Sequence, residues 1–214
     1  MKADPILRRP FHYRYFRATL ALIIINFIVY FFTSKQPSLT VIFGLQPALF
    51  ISNKMYWQLI TYMFVHGNFQ HILFNMLALL FFGFTVERAI GSSEFLLFYL
   101  LCGIVSGACS LGVFLITGMY GAILIGASGA IYAVLFLFAT IYPRSKIYIW
   151  GILPIPSPLM VVIYVIIEAA SQIYGYNTGV AHYTHLFGFA AAWLYIAIRM
   201  GINPIRIWIN AYKK

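Results

Sequence analysis

Charged side chains are scarce in this sequence. They make up 8% of the 214 residues, against 63% hydrophobic residues and a mean hydropathy of +0.89. A soluble domain carries roughly 25% charged residues, because it must cover its own surface against water. A chain with so few charges needs lipid as much of its solvent. The composition therefore excludes an ordinary soluble domain and predicts an integral membrane protein.

Acidic residues are the rarest charged type, with four against fourteen lysines and arginines. The single aspartate, Asp4, precedes the first hydrophobic run, so no aspartate stands within a predicted membrane segment. This excludes an aspartyl intramembrane protease. It also predicts that a Ser-His-Asp arrangement is absent, with no carboxylate beside a catalytic histidine.

Disulfide and signal-peptide patterns are both missing. Cys102 and Cys109 lie in one hydrophobic segment, so we expect packing residues and no disulfide. The first hydrophobic run has no small-residue cleavage signal after it, so we expect it to be retained as a membrane span.

The net charge of +10 is distributed unevenly. Basic residues precede the first hydrophobic segment or lie just beyond later ones, except for Lys35 and Lys54. This is the positive-inside pattern of membrane proteins and not a groove for phosphates, so we predict no nucleic-acid partner. Both termini are predicted to be cytoplasmic, in a bacterial inner membrane.

Six hydrophobic segments are predicted to be helices, because backbone groups in hydrocarbon must bond within the chain. The connection 38–67 is too interrupted to span and is predicted to lie in the membrane interface. The fold class is thus an all-α polytopic membrane protein, one six-helix domain over 1–214 with a core at 18–200 and basic cytoplasmic segments at 1–17 and 201–214. The six segments are 18–32, 69–86, 95–116, 128–142, 158–174 and 182–200.

The fourth segment, 128–142, is short for a membrane span. At about 1.5 Å per residue it is about 22 Å long, against a hydrocarbon core of about 30 Å. The preceding stretch, 117–127, must therefore dip into the membrane, which irregular backbone tolerates when buried in protein or lining a watery cavity. Ser128 is predicted to lie at a helix amino terminus beside such a cavity.

Polar side chains in membrane helices are costly, so those that remain usually face the bundle interior and often have a function. They form three groups near the outer ends of the second, fourth and sixth segments. These segments run in one direction, and the distance of each group from the cytoplasmic basic residues indicates a shared depth. The groups are His66, His71 and Asn75; Ser128 and Tyr132; and His182 and His185.

This grouping indicates nucleophilic catalysis. A serine hydroxyl is a weak nucleophile until a base removes its proton, and histidine is the usual base near neutral pH. We predict that Ser128 attacks and that His185 is the base. The Ser128 amide, His71 and Asn75 are the predicted oxyanion donors. We expect a Ser-His dyad, with the ring of Tyr132 packed against the imidazole.

Three motifs that carry these residues resemble the signatures of the rhomboid family, in the family's order and over nearly the whole chain. They are His66-x4-His71-x3-Asn75, Gly126-x-Ser128-Gly129 and His185-x-x-Gly188. The resemblance implies an intramembrane serine protease with no metal or organic cofactor, in which Ser128 is the nucleophile and His185 the base. His71 and Asn75 would complete the oxyanion hole. The supporting residues would be His66, Gly126, Gly129, Tyr132 and Gly188.

Two positions depart from the family pattern. Trp57 is followed by Gln58 where the family often has arginine, so we expect the first connection to be anchored differently. Ala192 stands where glycine is common, which a small-xxx-small helix contact can accept. Neither departure removes a residue with an implied catalytic role.

Two further polar residues have less specific interpretations. His182 is expected to be an interfacial histidine, because the Leu-x-Gly sequence that matches the family follows His185. Glu168, in the fifth segment, is interpreted as a buried and hydrogen-bonded carboxyl that ties this segment to its neighbours.

The resemblance implies cleavage of a peptide bond in or beside the transmembrane helix of a single-pass membrane protein, with lateral access past the fifth segment. One alternative is a rhomboid-like protein that binds membrane clients without cleaving them. Another is a metal site or transporter, which is disfavoured because the chain has no His-Glu-x-x-His motif and no ligating carboxylate is expected nearby. Its ligands would be His66, His71, His182 and His185.

Overall fold

A computed structural model describes residue 8 and residues 10–149, 151–174 and 182–213. Part of the predicted basic segment 1–17, and Lys214 in the predicted tail, lie outside the described residues. The described part is mainly helical and contains several apolar helices, which confirms the predicted class of helical membrane protein.

One long helix opens the described chain and a connection of short helices follows. Helix α1 extends to Lys35, past its predicted end at residue 32. The helices of the connection are each six residues or shorter, so it is as interrupted as the sequence indicates. The elements are α1 (Ala18–Lys35), α2 (Ser38–Phe43), α3 (Pro47–Ser52), α4 (Gln58–Thr61) and a 3-10 turn (Tyr62–Phe64).

Gln58 anchors this connection through backbone groups. Its buried side chain accepts a hydrogen bond from the Gln46 N–H at 3.1 Å and donates to the carbonyls of Val41 at 3.0 Å and Ile42 at 3.2 Å. The Trp57 indole also donates to the Ile42 carbonyl, at 3.1 Å. The glutamine that departs from the family pattern therefore satisfies three backbone groups of the connection.

Two long helices follow, α5 (Phe69–Ile90) and α6 (Ser92–Ile116). With α1 they are the three described helices that are long and apolar enough to cross a membrane. Helix α5 contains a π-helical stretch, Leu79–Gly83, and passes its predicted end at residue 86. Gly91, with φ of 84°, separates the two helices, as glycine often does at a helix end.

The described residues from 128 onward form four helices. Helices α7 to α9 lie close to the predicted fourth to sixth segments, and each has at most 17 residues. The number of membrane crossings therefore stays a prediction. Helix α10 lies in the predicted tail. The four are α7 (Ser128–Ile141), α8 (Ser157–Ile173), α9 (His182–Ile198) and α10 (Pro204–Tyr212).

A small antiparallel hairpin between α7 and α8 is an addition to the predicted helical fold. Strand β1 (Lys146–Ile149) pairs with β2 (Leu153–Pro156), and Gly151 in the turn has φ of 71°. The residues of β1 include two isoleucines and a tyrosine, which favour extended backbone. The run is short and lies between longer helices, so hydropathy alone does not reveal it.

The stretch 117–127, all of which the structure describes, contains no helix, as predicted. Its backbone bonds to the first connection. Leu45 and Leu124 exchange two N–H···O bonds of 2.9 Å, and the Gly126 N–H donates to the Tyr62 carbonyl at 2.9 Å. These bonds satisfy irregular backbone inside the protein, as a low-dielectric environment requires.

Two buried carboxylates join helix ends at the far end of α5 from His71. Glu87 accepts hydrogen bonds from the first turn of α1, including the Ala18 N–H at 2.6 Å. Glu94 accepts from Arg199 Nε at 2.5 Å and Nη2 at 2.8 Å, and from the Tyr195 hydroxyl. The second network ties the start of α6 to the end of α9.

Helices α7 and α9 meet backbone to backbone where Gly188 faces Gly129. A Cβ added at Gly188 would lie 2.2 Å from the Gly129 carbonyl oxygen. Ala192, further along α9, is fully buried, so its methyl is accommodated without loss of this contact. Small residues thus allow the two helices to approach closely.

The Gly188→Ala substitution should lower the free energy of unfolding by about 1–3 kcal/mol, because the added methyl must displace the α7 backbone. Thermal unfolding in detergent micelles measures this effect. Gly112→Ala in α6 is the matched control, since an added Cβ there meets nothing within 4 Å. It should be neutral or stabilising by up to about 1 kcal/mol through helix propensity. Equal effects at both positions would contradict the close α7–α9 contact.

Candidate active site

Ser128 is the first residue of α7 and follows a glycine that the backbone requires. Gly126 has φ of 114°, a conformation that residues with a side chain rarely adopt. A Cβ at Gly126 would also lie 2.8 Å from Nε2 of His71. The glycine therefore allows both the turn into α7 and the approach of the His71 ring.

Ser128 and His185 are in direct contact. The distance from Ser128 Oγ to His185 Nε2 is 2.7 Å, although the residues lie on different helices. Ser128 is half-buried and His185 is buried. The close approach of Gly129 and Gly188 brings the two helix ends together, because each glycine lies within one turn of one member of the pair. The two groups that the sequence analysis predicted to pair are thus adjacent.

Aromatic rings fix the plane of the His185 imidazole. The Tyr132 ring, one turn after Ser128, stacks on it with centroids 4.2 Å apart and planes inclined by 10°. Tyr164 on α8 and Phe189 on α9 pack edge-on against Tyr132, with centroids 5.6 Å and 5.1 Å away. The imidazole can therefore turn only if this aromatic packing is disturbed.

A carboxylate lies beside His185, contrary to the prediction of a dyad without an acidic partner. Glu168 on α8 has Oε1 at 2.9 Å from His185 Nδ1 and at 2.5 Å from the Tyr132 hydroxyl oxygen. Its other oxygen, Oε2, lies 2.6 Å from His182 Nδ1. Ser128, His185 and Glu168 thus form a continuous hydrogen-bonded chain. The sequence signal was present: Glu168 is an acidic residue inside a hydrophobic segment.

The structural interpretation of Glu168 is confirmed. The residue is 5% exposed and its carboxylate joins α8 to Tyr132 on α7 and to both histidines on α9. His182, which the sequence predicts to be interfacial, bonds through its ring to this buried carboxylate, and its depth in the membrane stays a prediction. The spacing of the two histidines explains why both contact Glu168. Residues three apart share a helix face, so His182 and His185 both face α8.

Glu168, His182 and His185 could also hold a metal ion. Among the described residues their ligand atoms lie within 4.8 Å of one another. One carboxylate with two imidazoles is a ligand set that zinc uses in proteins. The expectation that no ligating carboxylate stands near the histidines is therefore wrong. In this arrangement the same atoms satisfy one another by hydrogen bonding.

His71 and Asn75 on α5 face the same region as Ser128. The Gly67 N–H lies 3.5 Å from His71 Nδ1, and the other ring nitrogen, Nε2, lies beside Gly126. The Asn75 amide nitrogen donates to the His71 carbonyl at 2.8 Å, which leaves its second N–H for another acceptor. Both side chains can therefore donate hydrogen bonds near Ser128.

His66 lies just before α5 and packs edge-on against His71, with ring centroids 4.9 Å apart. Burial, and after it the nearby His71, lower the pKa of His66 to about 4. His66 is therefore neutral at neutral pH. Its position suits a residue that supports His71.

A cavity of about 1060 Å³ opens over the Ser128–His185 pair. Apart from a few polar side chains, the residues that line this cavity are mostly apolar. They include Ile147 and Tyr148 of the hairpin. Glu168 and His182 are not among the described residues that line it, so they stand behind His185. The polar lining residues singled out from the sequence are His71, Asn75, Ser128, Tyr132 and His185.

Comparison with known proteins gives one family. The Rhomboid domain family model matches residues 53–202. RHOMBOID-like protein 4 of Arabidopsis thaliana is 32% identical over 72% of this chain and 36% of its own length. RHOMBOID-like protein 12, mitochondrial, of the same plant is 32% identical over 63% of this chain and 44% of its own length. Rhomboid protease GluP of Bacillus subtilis is 37% identical over 48% of this chain and 19% of its own length.

The aligned part of this chain spans less than half of the length of each of these relatives. The family match covers most of the chain and contains all of the site residues described above. The apolar helices and the match together identify an integral membrane protein. The chain belongs to the rhomboid family.

Proposed function

We propose that the protein is an intramembrane serine endopeptidase. The observation that carries this proposal is the 2.7 Å contact between Ser128 Oγ and His185 Nε2. The contact lies at the wall of a cavity within a bundle of apolar helices. The relatives named as rhomboid proteases support the same class of activity.

In the proposed reaction Ser128 Oγ attacks the carbonyl carbon of the scissile bond while its proton passes to His185 Nε2. The carbonyl electron pair moves onto oxygen, and the Ser128 N–H, His71 and Asn75 donate hydrogen bonds to this oxyanion. Collapse breaks the C–N bond, and the leaving amine takes the proton from His185. Water, deprotonated by His185, then hydrolyses the acyl-serine and restores the hydroxyl.

The proposed substrates are single-pass membrane proteins that reach the site from the lipid bilayer. A transmembrane helix satisfies its own backbone hydrogen bonds, so its carbonyl groups are protected until it unwinds locally. This favours cleavage near glycine, proline or polar residues, with a small residue before the scissile bond and lateral access past α8. We further propose a bacterial inner-membrane location with both termini in the cytoplasm, as the basic residues indicate.

Ser128→Ala should abolish cleavage of a single-pass reporter protein in proteoliposomes, because no nucleophile remains. A fluorophosphonate probe should label the wild-type protein and not this variant. Ser34→Ala is the control, since Ser34 is exposed on α1 and bonds only locally to the Phe31 carbonyl. It should keep both activities. Cleavage that persists in Ser128→Ala would refute the proposal, and a wild type with neither cleavage nor labelling would favour the client-binding alternative.

Asn75→Ala should lower kcat/KM by about 10²–10³-fold, because one oxyanion donor is lost. The change is measured with the same reporter, and thermal unfolding verifies that the variant is folded. Thr85→Ala on the same helix is the control, since the Thr85 hydroxyl bonds only to the Phe81 carbonyl. Wild-type kcat/KM in Asn75→Ala would show that Asn75 is not an oxyanion donor.

The metal alternative has one specific observation in its favour, the Glu168, His182 and His185 group. Under the proposed mechanism the reaction needs no metal, so the cleavage rate should be unchanged by 1,10-phenanthroline or EDTA. Loss of cleavage in chelator, restored by added Zn²⁺, would instead assign a metal to this group. The measurement is made with metal-free buffers on the wild-type protein.

A further inference from the structure

We propose that Glu168 is a positioning residue for the cleavage reaction, which acts through His185. Its carboxylate fixes the imidazole in the tautomer that can accept the Ser128 proton, and it stabilises the imidazolium that forms during attack. This inference rests on the proposed function and adds a third member to the pair that the sequence predicts.

The two hydrogen-bond contacts of His185 determine which of its ring nitrogens carries the proton. An ionised carboxylate can only accept hydrogen bonds, so the proton between Glu168 Oε1 and His185 Nδ1, which are 2.9 Å apart, belongs to the imidazole. A neutral imidazole carries one ring proton. Nε2 therefore has a free electron pair, and it faces Ser128 Oγ at 2.7 Å. The opposite tautomer would present an N–H to Ser128 and could not act as a base.

His185 is buried, so a positive charge on its ring needs a partner within the protein. When Ser128 loses its proton, His185 becomes a cation, and a buried cation without a partner is costly. His185 is 7% exposed, and Glu168 provides a negative charge in contact with it. The described titratable groups around this pair are Tyr132 on α7, Tyr164 on α8, His182 on α9 and His71 on α5. None of these four is acidic, so Glu168 is the group that can offset the developing charge.

The carboxylate is itself held in place. Oε1 accepts from the Tyr132 hydroxyl at 2.5 Å in addition to His185, and Oε2 accepts from His182 at 2.6 Å. These donors come from α7 and α9, whereas Glu168 is on α8. Three helices therefore fix the position of the oxygen that faces His185 Nδ1.

A role in helix packing alone would also explain a buried carboxylate, so the test needs a matched control. Glu94 provides it: this buried carboxylate also accepts from a tyrosine hydroxyl and a basic side chain, and it also joins two helices. Glu94 is on α6 and contacts the end of α9 that is far from His185. Glu94→Gln therefore measures what the loss of such a network does to the fold.

The kinetic experiment compares Glu168→Gln with Glu94→Gln in proteoliposomes. Glu168→Gln keeps the size of the side chain and removes its charge, so kcat should fall by about 10²–10⁴-fold while KM changes little. Glu94→Gln should lower the unfolding temperature and leave kcat per folded molecule near the wild-type value. Equal loss of kcat in both variants, or wild-type kcat in Glu168→Gln, would overturn the positioning role.

A second measurement needs no substitution at residue 168. In protein labelled with ¹⁵N-histidine, the nitrogen chemical shifts report which ring nitrogen carries the proton, and His185→Gln assigns the signal. We expect the Nδ1–H tautomer for His185 in the wild type near neutral pH. A predominant Nε2–H tautomer would overturn the inference even if Glu168→Gln failed to fold.

The failure of this inference is distinguishable from the failure of the proposed function. If Ser128→Ala still cleaves the reporter, the proposed function is wrong. If Ser128→Ala is inactive while Glu168→Gln keeps wild-type kcat, the protease assignment stands and only the role of Glu168 is lost.

Discussion

The contact between Gly188 and the Gly129 carbonyl sets the distance on which the site depends. Ser128 precedes Gly129 on α7, and His185 lies one turn before Gly188 on α9. Ser128 Oγ lies 2.7 Å from the imidazole beside the point where the two helix backbones nearly touch. The absence of a side chain at Gly188 is therefore what permits the close approach of the two helices that carry the proposed nucleophile and base. A Cβ at Gly188 would meet the α7 backbone, whereas a Cβ at Gly129 would meet the side chains of Ser106 and Thr184.

Inside a bundle of apolar helices a charged group needs partners within the protein, because lipid provides none. The three acidic residues of the described chain are all buried, and each joins separate elements. Glu87 binds α1 to α5, and Glu94 binds α6 to the end of α9. Glu168 does the same for α7, α8 and α9. The few acidic residues of the described chain thus serve to join helices inside the protein. At Glu168 the structural bond and the proposed chemical role use the same oxygen.

The helices and the Ser128–His185 pairing could be predicted from the sequence because they depend on local patterns, namely apolar runs and short motifs near segment ends. The partner of His185 could not be predicted in this way. Glu168 approaches it from another helix, and no spacing rule relates the two residues. The dyad was predicted because no aspartate lies within a membrane segment, and this absence leaves a glutamate such as Glu168 unaccounted for. His182 and His185 lie within one helical turn of each other, so their predicted depths in the membrane could not tell them apart. Both contact Glu168. The hairpin was missed because its strands are too short for a hydropathy pattern.

In the proposed mechanism the position of Glu168 would link substrate access to the state of His185, the proposed base. Helix α8 carries Glu168, and the proposed route for a membrane substrate passes this helix. A displacement of α8 large enough to admit a peptide would withdraw the carboxylate from His185, Tyr132 and His182 together, because all three donors are on other helices. The imidazole would then lose its tautomer constraint. In the proposed mechanism an α8 displaced in this way would therefore leave His185 without its positioning residue.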